Sequence, residues 1–217
     1  MPHRARPLPG YLVTRYRGWR ATRYAENRSW FMHLAEDGQH PRAMLITCCD
    51  SRVTPVELFG ADPGEFFIHR NIANLVPPAG TTGDNCCTLA AVDYAVRVLH
   101  VAHILVLGHS GCGGVAGCHD MCAGEAPALE APDSTVGRWL ESLRPAYERT
   151  REIPDRAARL AEMERQSALI SVENLLSYEL VREAVASGRL TLHALVFDIA
   201  SGELLGYDGA SGTFRSI

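Results

Sequence analysis

Short apolar runs, each the length of a buried strand, alternate along this chain with longer segments in which apolar residues recur at helical spacing. The strand-like runs lie at residues 43–48, 65–69, 104–108 and 190–200, and the helix-like segments at 19–37, 54–60, 86–99, 134–150 and 155–187. Strands separated by helices are typical of a parallel sheet with helices packed on its faces. Residues 201–203 predict a hairpin turn into a last strand at 204–207. The pattern therefore predicts an α/β fold with a mostly parallel sheet and one antiparallel edge strand.

The beginning of the chain follows neither pattern. It contains Pro2, Pro7, Pro9, Gly10 and Gly18, residue types that disfavour regular structure. We therefore expect an irregular segment over 1–18, followed by a single domain over 19–217.

The predicted helix at 19–37 is rich in aromatic residues, among them Tyr24, Trp30 and Phe31. Such large apolar side chains need a surface to cover. They pack either on the sheet of the same chain or on a partner subunit, and the sequence favours neither.

Composition and charge exclude several classes of function. Of the 217 residues, 47% are hydrophobic and 21% are charged, as in an ordinary globular protein. The net charge of -4 gives no general attraction to nucleic acid or to an anionic membrane, and no apolar run is long enough to span a bilayer. The basic first residues are not followed by the apolar stretch of a signal peptide. Seven cysteines, an odd number with two adjacent pairs, indicate a reducing compartment, by default the cytoplasm.

Residues capable of binding a metal follow the first and third predicted strands. Cys48 ends the first strand, and His109 and Cys112 follow the third, three positions apart on a glycine-bearing turn. Because ligands collect at the carboxyl ends of the strands in an open α/β sheet, we expect these side chains to meet at one point. Thiolate and imidazole donors select zinc over magnesium or calcium, and two cysteines with one histidine leave the fourth position of a catalytic zinc site open.

The loop after the first strand leaves two questions open. Cys49 is adjacent to Cys48, and since successive residues at a strand end point in opposite directions, only one of them can face the metal. Asp50 and Arg52 either form an ion pair that only stabilises the loop, or Arg52 keeps the Asp50 carboxylate ionised as a permanent hydrogen-bond acceptor. In the second case the carboxylate would orient a hydroxide on the metal.

The two motifs together resemble those of the β-class carbonic anhydrases. The similarity rests on Cys48-x-Asp50-Ser51-Arg52 and His109-x-x-Cys112-Gly113, continues through residues 70–74 and 93–96, and covers roughly 19–207. It implies that Cys48, and not Cys49, is a ligand, and that Cys48, His109 and Cys112 bind one zinc ion per chain. The family fold is a four-stranded parallel sheet extended by an antiparallel edge strand. Its members dimerise through N-terminal helices, so the resemblance implies a homodimer or a tetramer of two dimers.

The resemblance also implies a function, the reversible hydration of carbon dioxide to bicarbonate and a proton by zinc-bound hydroxide. Asp50 and Arg52 would be the catalytic pair. Gly113 would offer its backbone N–H to a substrate oxygen, unless glycine is required there only by the turn.

The plant-like branch of the family matches this chain further, in the substrate pocket. Gln39, Phe67 and Tyr94 fall at the positions of its pocket residues, which come from the neighbouring subunit in that branch. The resemblance therefore makes the dimer part of the active site.

Another branch has a regulatory bicarbonate pocket with Trp, Arg and Tyr, and there the aspartate can close onto the zinc. This chain retains only the arginine, as Arg70, and has Leu45 and Phe197 at the other two positions. Neither of those side chains can form the hydrogen bonds of Trp or Tyr. We therefore expect an open site near neutral pH, with solvent and not Asp50 as the fourth ligand.

Two other functions fit the same residues. One is the hydrolysis of carbonyl sulfide or carbon disulfide on the same fold, because both are linear, apolar triatomic molecules like carbon dioxide. The other is a non-catalytic protein that binds zinc or bicarbonate, and the presence of both Asp50 and Arg52 argues against it.

Overall fold

The structure is a computed structural model that describes residues 6–81 and 86–217, so the basic start at 1–5 lies outside the described residues. The chain forms two compact units, Met1–His40 and Pro41–Ile217, whereas the sequence predicts a boundary after residue 18. In the first unit, helix α1 (Gly10–Trp19) continues through a π-helical segment, Arg20–Tyr24, and α2 follows at Arg28–Asp37.

The expectation of an irregular segment over 1–18 is corrected from Gly10 onward. Pro9 occupies the N-cap of α1 with a φ of -55°, and the restricted φ of proline is compatible with the start of a helix. The aromatic residues of this unit pack on one another, with ring centroids of Trp19 and Phe31 separated by 5.7 Å and those of Tyr24 and Phe31 by 5.3 Å. Trp30 nevertheless remains 44% exposed.

Within the described part of the second unit, six strands form one sheet in the order β2-β1-β3-β4-β5-β6. They are β1 (Ala43–Cys48), β2 (Phe66–Asn71), β3 (His103–His109), β4 (Thr191–Phe197), β5 (Leu204–Asp208) and β6 (Thr213–Ser216). The first four pair in parallel, and β5 and β6 are antiparallel. The predicted α/β class and its mostly parallel sheet are confirmed. Strand β6 is an addition that the pattern does not predict, because it is four residues long and largely exposed.

Helices cover the sheet of this unit. They are α3 (Pro55–Leu58), α4 (Cys87–Arg97), α5 (Gly113–Cys122), α6 (Pro127–Glu130), α7 (Thr135–Leu140), α8 (Arg144–Arg149), α9 (Arg156–Leu176) and α10 (Glu179–Ala186). The two long helices predicted at 134–150 and 155–187 are each divided. A 3₁₀ turn separates α7 from α8, which has a proline in its first turn, and Tyr178 adopts an extended conformation between α9 and α10. No helix of the described ranges is long and apolar enough to cross a membrane.

The sheet order places the metal-binding motifs side by side. All six residues of β1 are buried, which accounts for the unbroken apolar run of a strand covered on both faces. Strands β1 and β3 are neighbours in parallel register, and Cys48 and His109 are their last residues. The fold therefore brings two distant parts of the sequence to one edge of the sheet.

Candidate metal centre

Cys48, His109 and Cys112 meet at the carboxyl ends of β1 and β3. Their ligand atoms lie within 4.8 Å of one another, and no other group of three such residues was found in the described ranges. The side chains are buried, with residue exposures of 4%, 1% and 2%. The two sulfur atoms are 4.0 Å apart, close to the roughly 3.8 Å that two thiolates have on a tetrahedral zinc ion with Zn–S bonds of about 2.3 Å.

The hydrogen bonding of His109 fits a metal ligand. Its Nδ1 donates to the carbonyl oxygen of Ser110 at 3.0 Å, so in the neutral imidazole Nε2 is the nitrogen without a proton. Nε2 is buried and has no hydrogen-bond partner. Since an unpaired buried polar atom is costly, this nitrogen is available for a metal, and the backbone carbonyl fixes the orientation of the ring.

The two cysteines interact directly. A hydrogen bond from Cys112 lowers the pKa of Cys48, and the backbone amides of Asp50 and Ala73 lower it further. The same hydrogen bond, together with burial, raises the pKa of Cys112. Cys49 is exposed, so the structure turns Cys48, and not Cys49, towards His109 and Cys112.

Arg52 connects the two loops that carry these side chains. Its Nε donates to Asp50 Oδ1 at 2.9 Å and its Nη2 to Oδ2 at 2.7 Å. The same Nη2 donates to the carbonyl oxygen of Gly111 at 2.9 Å, in the loop before Cys112. These hydrogen bonds hold the pKa of Asp50 well below its usual range, and Asp50 Oδ2 lies 3.9 Å from His109 Nε2. The carboxylate is therefore ionised and adjacent to the three ligand atoms.

Arg70 fixes the backbone of the first loop. Its guanidinium donates to the carbonyl oxygens of Cys48, Asp50 and Val53 at 2.8 to 2.9 Å. Because one guanidinium donates to three carbonyl oxygens of this loop, it restrains the backbone that carries Asp50.

Comparison with known proteins agrees with this geometry. The family model described as carbonic anhydrase matches residues 43–204. A carbonic anhydrase of Pseudomonas aeruginosa is 40% identical over 185 residues, which cover 82% of this chain and 79% of that protein. Beta carbonic anhydrase 3 of Arabidopsis thaliana is 33% identical over 187 residues, which cover 85% of this chain and 70% of that protein. The chain belongs to the β-class carbonic anhydrases.

Two solved structures of that class resemble this one closely. The β-carbonic anhydrase CcaA has a TM-score of 0.87 and 29% identity, with 95% of this chain and 91% of that chain covered. One of two tetrameric β-carbonic anhydrases from Sordaria macrospora has a TM-score of 0.76 and 30% identity, with 94% and 97% covered.

A pocket of about 390 Å³ opens beside Cys48, one of the three candidate ligand residues. Its lining includes Asp50, Gly113, Ile72, Leu129, Val136 and Leu140. The last four give it an apolar wall, and three of them come from residues 129–140, which the sequence analysis did not connect with the site.

The other predicted pocket residues lie elsewhere. The rings of Phe67 and Tyr94 contact each other at a centroid distance of 5.8 Å, and Tyr94 is 42% exposed. Neither lines the pocket beside Cys48. Gln39 belongs to the N-terminal unit, where it is exposed. Their contribution to a substrate pocket stays a prediction.

Two buried residues near the centre were missed by the sequence analysis, Glu164 and Ser167 of α9. Glu164 accepts a hydrogen bond from the backbone amide of Cys112 at 3.0 Å, and burial raises the pKa of its carboxyl. Ser167 donates to the carbonyl oxygen of Ala73 at 3.0 Å. The signal that could have revealed them is polar residues on the apolar face of a predicted helix.

Proposed function

We propose that Cys48, His109 and Cys112 hold one zinc ion per chain, and that this centre hydrates carbon dioxide reversibly to bicarbonate and a proton. The observation that carries the proposal is the buried, unpartnered Nε2 of His109 beside two cysteine sulfur atoms 4.0 Å apart. Membership of the carbonic anhydrase family supports the reaction.

A bound zinc ion supplies Lewis acidity, which makes a nucleophile available from water near neutral pH. The residues of the chain orient the reacting groups. Because Arg52 bonds both oxygens of Asp50, the carboxylate stays ionised and can only accept hydrogen bonds. The carboxylate would thereby accept a hydrogen bond from the attacking hydroxyl group. This hydrogen bond would orient the hydroxyl group so that the free lone pair of its oxygen faces the substrate. While both oxygens of Asp50 are bonded to Arg52, the carboxylate would be held back from ligating a bound zinc ion, whose remaining ligand would then be solvent.

The pocket walls suit the substrate. Carbon dioxide is apolar overall, and the side chains of Ile72, Leu129, Val136 and Leu140 offer it an apolar wall. The backbone N–H of Gly113, the first residue of α5, would stabilise the charge that develops on a substrate oxygen.

The working protein is a homo-oligomer in this proposal, a dimer at least, in which a partner subunit contributes Gln39, Phe67 and Tyr94 to the pocket. The tetrameric state of the Sordaria macrospora relatives supports an oligomer. The exposed aromatic residues of the N-terminal unit, such as Trp30, support a partner-covered helix. The seven free cysteines support a reducing compartment, the cytoplasm.

Replacing Asp50 by Asn tests the proposal, because the amide keeps the shape of the side chain but can also donate a hydrogen bond. We expect Asp50→Asn to keep one zinc per chain and to lose roughly 100-fold or more in the rate of carbon dioxide hydration. Glu173→Gln is the matched control, since Glu173 forms a comparable two-point pair with Arg149 that does not contact the centre. Zinc is measured by elemental analysis and hydration by stopped flow.

Full activity in Asp50→Asn would refute the role of Asp50, and a purified wild-type protein without zinc would refute the proposal as a whole. Turnover of carbonyl sulfide and carbon disulfide in the same assay separates the alternative hydrolase. A protein that binds zinc and turns over none of the three substrates would instead be a non-catalytic binder.

A further inference from the structure

Helix α9 carries a row of polar side chains on its buried face. Glu164, Ser167, Ser171 and Asn174 are spaced three, four and three residues apart, which places them on one side of the helix. Glu164, Ser167 and Ser171 are 7%, 1% and 0% exposed, and Asn174 is half-buried. We name these four residues the α9 polar stripe. Buried polar groups need partners, and those of this stripe include backbone groups next to the metal centre.

Three residues of the stripe hold the segment that follows β2. Ser167 donates to the carbonyl oxygen of Ala73 at 3.0 Å and accepts from the side-chain amide of Asn74 at 3.2 Å. Ser171 donates to the carbonyl oxygen of Asn74 at 3.0 Å and accepts from the amide of Val76 at 3.2 Å. Asn174 donates to the carbonyl oxygen of Val76 at 2.8 Å.

The segment held in this way has an unfavourable backbone. Ala73 and Asn74 have φ angles of 62° and 50°, in the left-handed region that residues with a Cβ rarely adopt. Two such residues in succession persist only when their surroundings over-determine them. The surroundings here are the α9 polar stripe and Trp139, whose indole N–H donates to the carbonyl oxygen of Ile72 at 2.8 Å.

The left-handed turn matters because it borders the centre. Ala73 is fully buried in the same side-chain cluster as Cys48 and Cys112, and Asn71, just before the turn, accepts a hydrogen bond from the amide of Cys49 at 2.9 Å. On the other side, Glu164 of the same helix accepts from the amide of Cys112 at 3.0 Å. One face of α9 is therefore bonded to the segment beside Cys48 and to the loop of Cys112.

We infer that the α9 polar stripe sets the separation of the two cysteines, with Ser167 as its central positioning residue. The inference rests on the proposed zinc centre. A rigid helix bonded to both segments holds the two cysteines at metal-binding distance in the metal-free protein. Little of the binding free energy of the metal is then lost in ordering the site. None of the four side chains touches the metal or the substrate in this account; they act through Cys48 and Cys112.

The test compares Ser167→Ala with Val172→Ala in the full-length protein. Ser167→Ala removes the hydroxyl and leaves the Ala73 carbonyl and the Asn74 amide without their partner. Val172→Ala is the control, because Val172 lies on the same helix and packs on a different apolar cluster of the core. Both variants are first compared with the wild type by urea unfolding of the metal-free protein, which measures the purely structural effect.

Zinc affinity is then measured by competition with a chromogenic chelator, and the geometry of the centre by the absorption spectrum of the cobalt-substituted protein. We expect Ser167→Ala to bind zinc about 10- to 100-fold more weakly than the wild type and to shift the thiolate-to-cobalt charge-transfer band. Val172→Ala is expected to lose stability but to keep the affinity and the spectrum. Ser171→Ala, which frees the Asn74 carbonyl, should shift both readouts in the same direction as Ser167→Ala.

The outcomes separate this inference from the proposed function. A wild-type protein that binds no zinc refutes the proposed centre. A wild-type protein that binds zinc tightly, with unchanged affinity and cobalt spectrum in Ser167→Ala and Ser171→Ala, refutes the positioning role alone. Equal losses of zinc affinity in Ser167→Ala and Val172→Ala also refute the positioning role. The loss of affinity would then follow from lower stability and not from the lost hydrogen bonds to Ala73 and Asn74.

Discussion

Gly114 offers a sharp test of how rigidly the turn beside Cys48 is held. This glycine lies in the first turn of α5, and a Cβ added to it would stand 2.9 Å from Ala73 Cβ and from Ile72 Cγ2. Carbon atoms normally approach to about 3.5–4.0 Å, so Gly114→Ala creates an overlap of more than half an ångström with two atoms. The neighbouring Gly113 has nothing within 4 Å of its added Cβ, which makes Gly113→Ala a control at an adjacent position of the same helix.

The magnitude follows from two opposing effects. Alanine in place of glycine stabilises a helix by up to about 1 kcal/mol, and this gain applies to both variants. Overpacking a core costs typically 1–3 kcal/mol, and this cost applies only to Gly114→Ala. We therefore expect Gly114→Ala to be less stable than Gly113→Ala by about 1–3 kcal/mol, or roughly 2–12 °C in Tm for a chain of this size.

Urea unfolding of the metal-free variants measures the difference in the free energy of unfolding directly. Titration with zinc then shows whether the displaced turn also weakens the metal centre, which we expect because Ala73 is packed beside Cys48. Equal stability of the two variants would refute the reasoning. It would mean that residues 72–74 move aside at no cost, which is incompatible with a turn held by Ser167, Ser171 and Trp139.

Two further predictions concern other parts of the chain. Hydrogen bonds from Arg156 and then His119 hold the pKa of Asp120 below its ordinary value, so its ionisation stabilises the folded state above the unfolded pKa of about 3.9, and this contribution disappears as the pH falls through the folded value. Asp120→Asn should therefore be less stable than the wild type at pH 7, with a difference that shrinks as the pH falls below about 4; a difference independent of pH in urea unfolding would contradict this. In the zinc-loaded protein, a brief treatment with iodoacetamide should alkylate the exposed Cys49 and Cys87 but not the buried Cys48 and Cys112, as peptide mass spectrometry can check, and rapid alkylation of Cys48 would contradict the proposed ligand set.

The cluster of candidate ligand residues could be predicted from the sequence because each motif is short and follows an apolar strand. Cys48 ends β1 and His109 ends β3, and the general behaviour of parallel sheets places such ends together. The choice between Cys48 and Cys49 could not be made from local pattern. It depends on which side chain β1 turns inward, and the structure decides it by burying Cys48 and exposing Cys49.

The elements that the sequence did not predict were missed for three separate physical reasons. Strand β6 is short and exposed, so it lacks the apolar period that identifies a strand. Helix α1 begins directly after Pro9, so the prolines before it do not prevent a helix from Gly10 onward. The divisions of the two long helices depend on local geometry, such as the extended Tyr178, and a helical period in the sequence does not reveal them.

The α9 polar stripe was missed for a different reason. The partners of Ser167 and Ser171 are backbone atoms of Ala73 and Asn74, 94 and 97 residues earlier in the chain. Every residue has a backbone carbonyl, so the sequence does not show which residues accept hydrogen bonds from these serines. A pattern was nevertheless present, because serine and glutamate recur at helical spacing among buried residues such as Met163 and Ala168. Buried polar residues require partners, and such a row on a core-facing helix therefore predicts that something irregular packs against it.

The loop of Cys112 is thus connected to the Cys48 side of the centre by two sets of contacts, one exposed and one buried. On the exposed side, Arg52 bridges Asp50 and the Gly111 carbonyl, and its own side chain is 54% exposed. On the buried side, Glu164 and Ser167 bond to the loop of Cys112 and to the turn beside Cys48. An exposed ion pair is weakened by salt and contributes little stability, whereas buried hydrogen bonds are costly to leave unmade. In this inference the buried contacts of α9, together with the Arg70 hydrogen bond to the Cys48 carbonyl, set the placement of the two cysteines. Arg52 holds the carboxylate that faces the substrate.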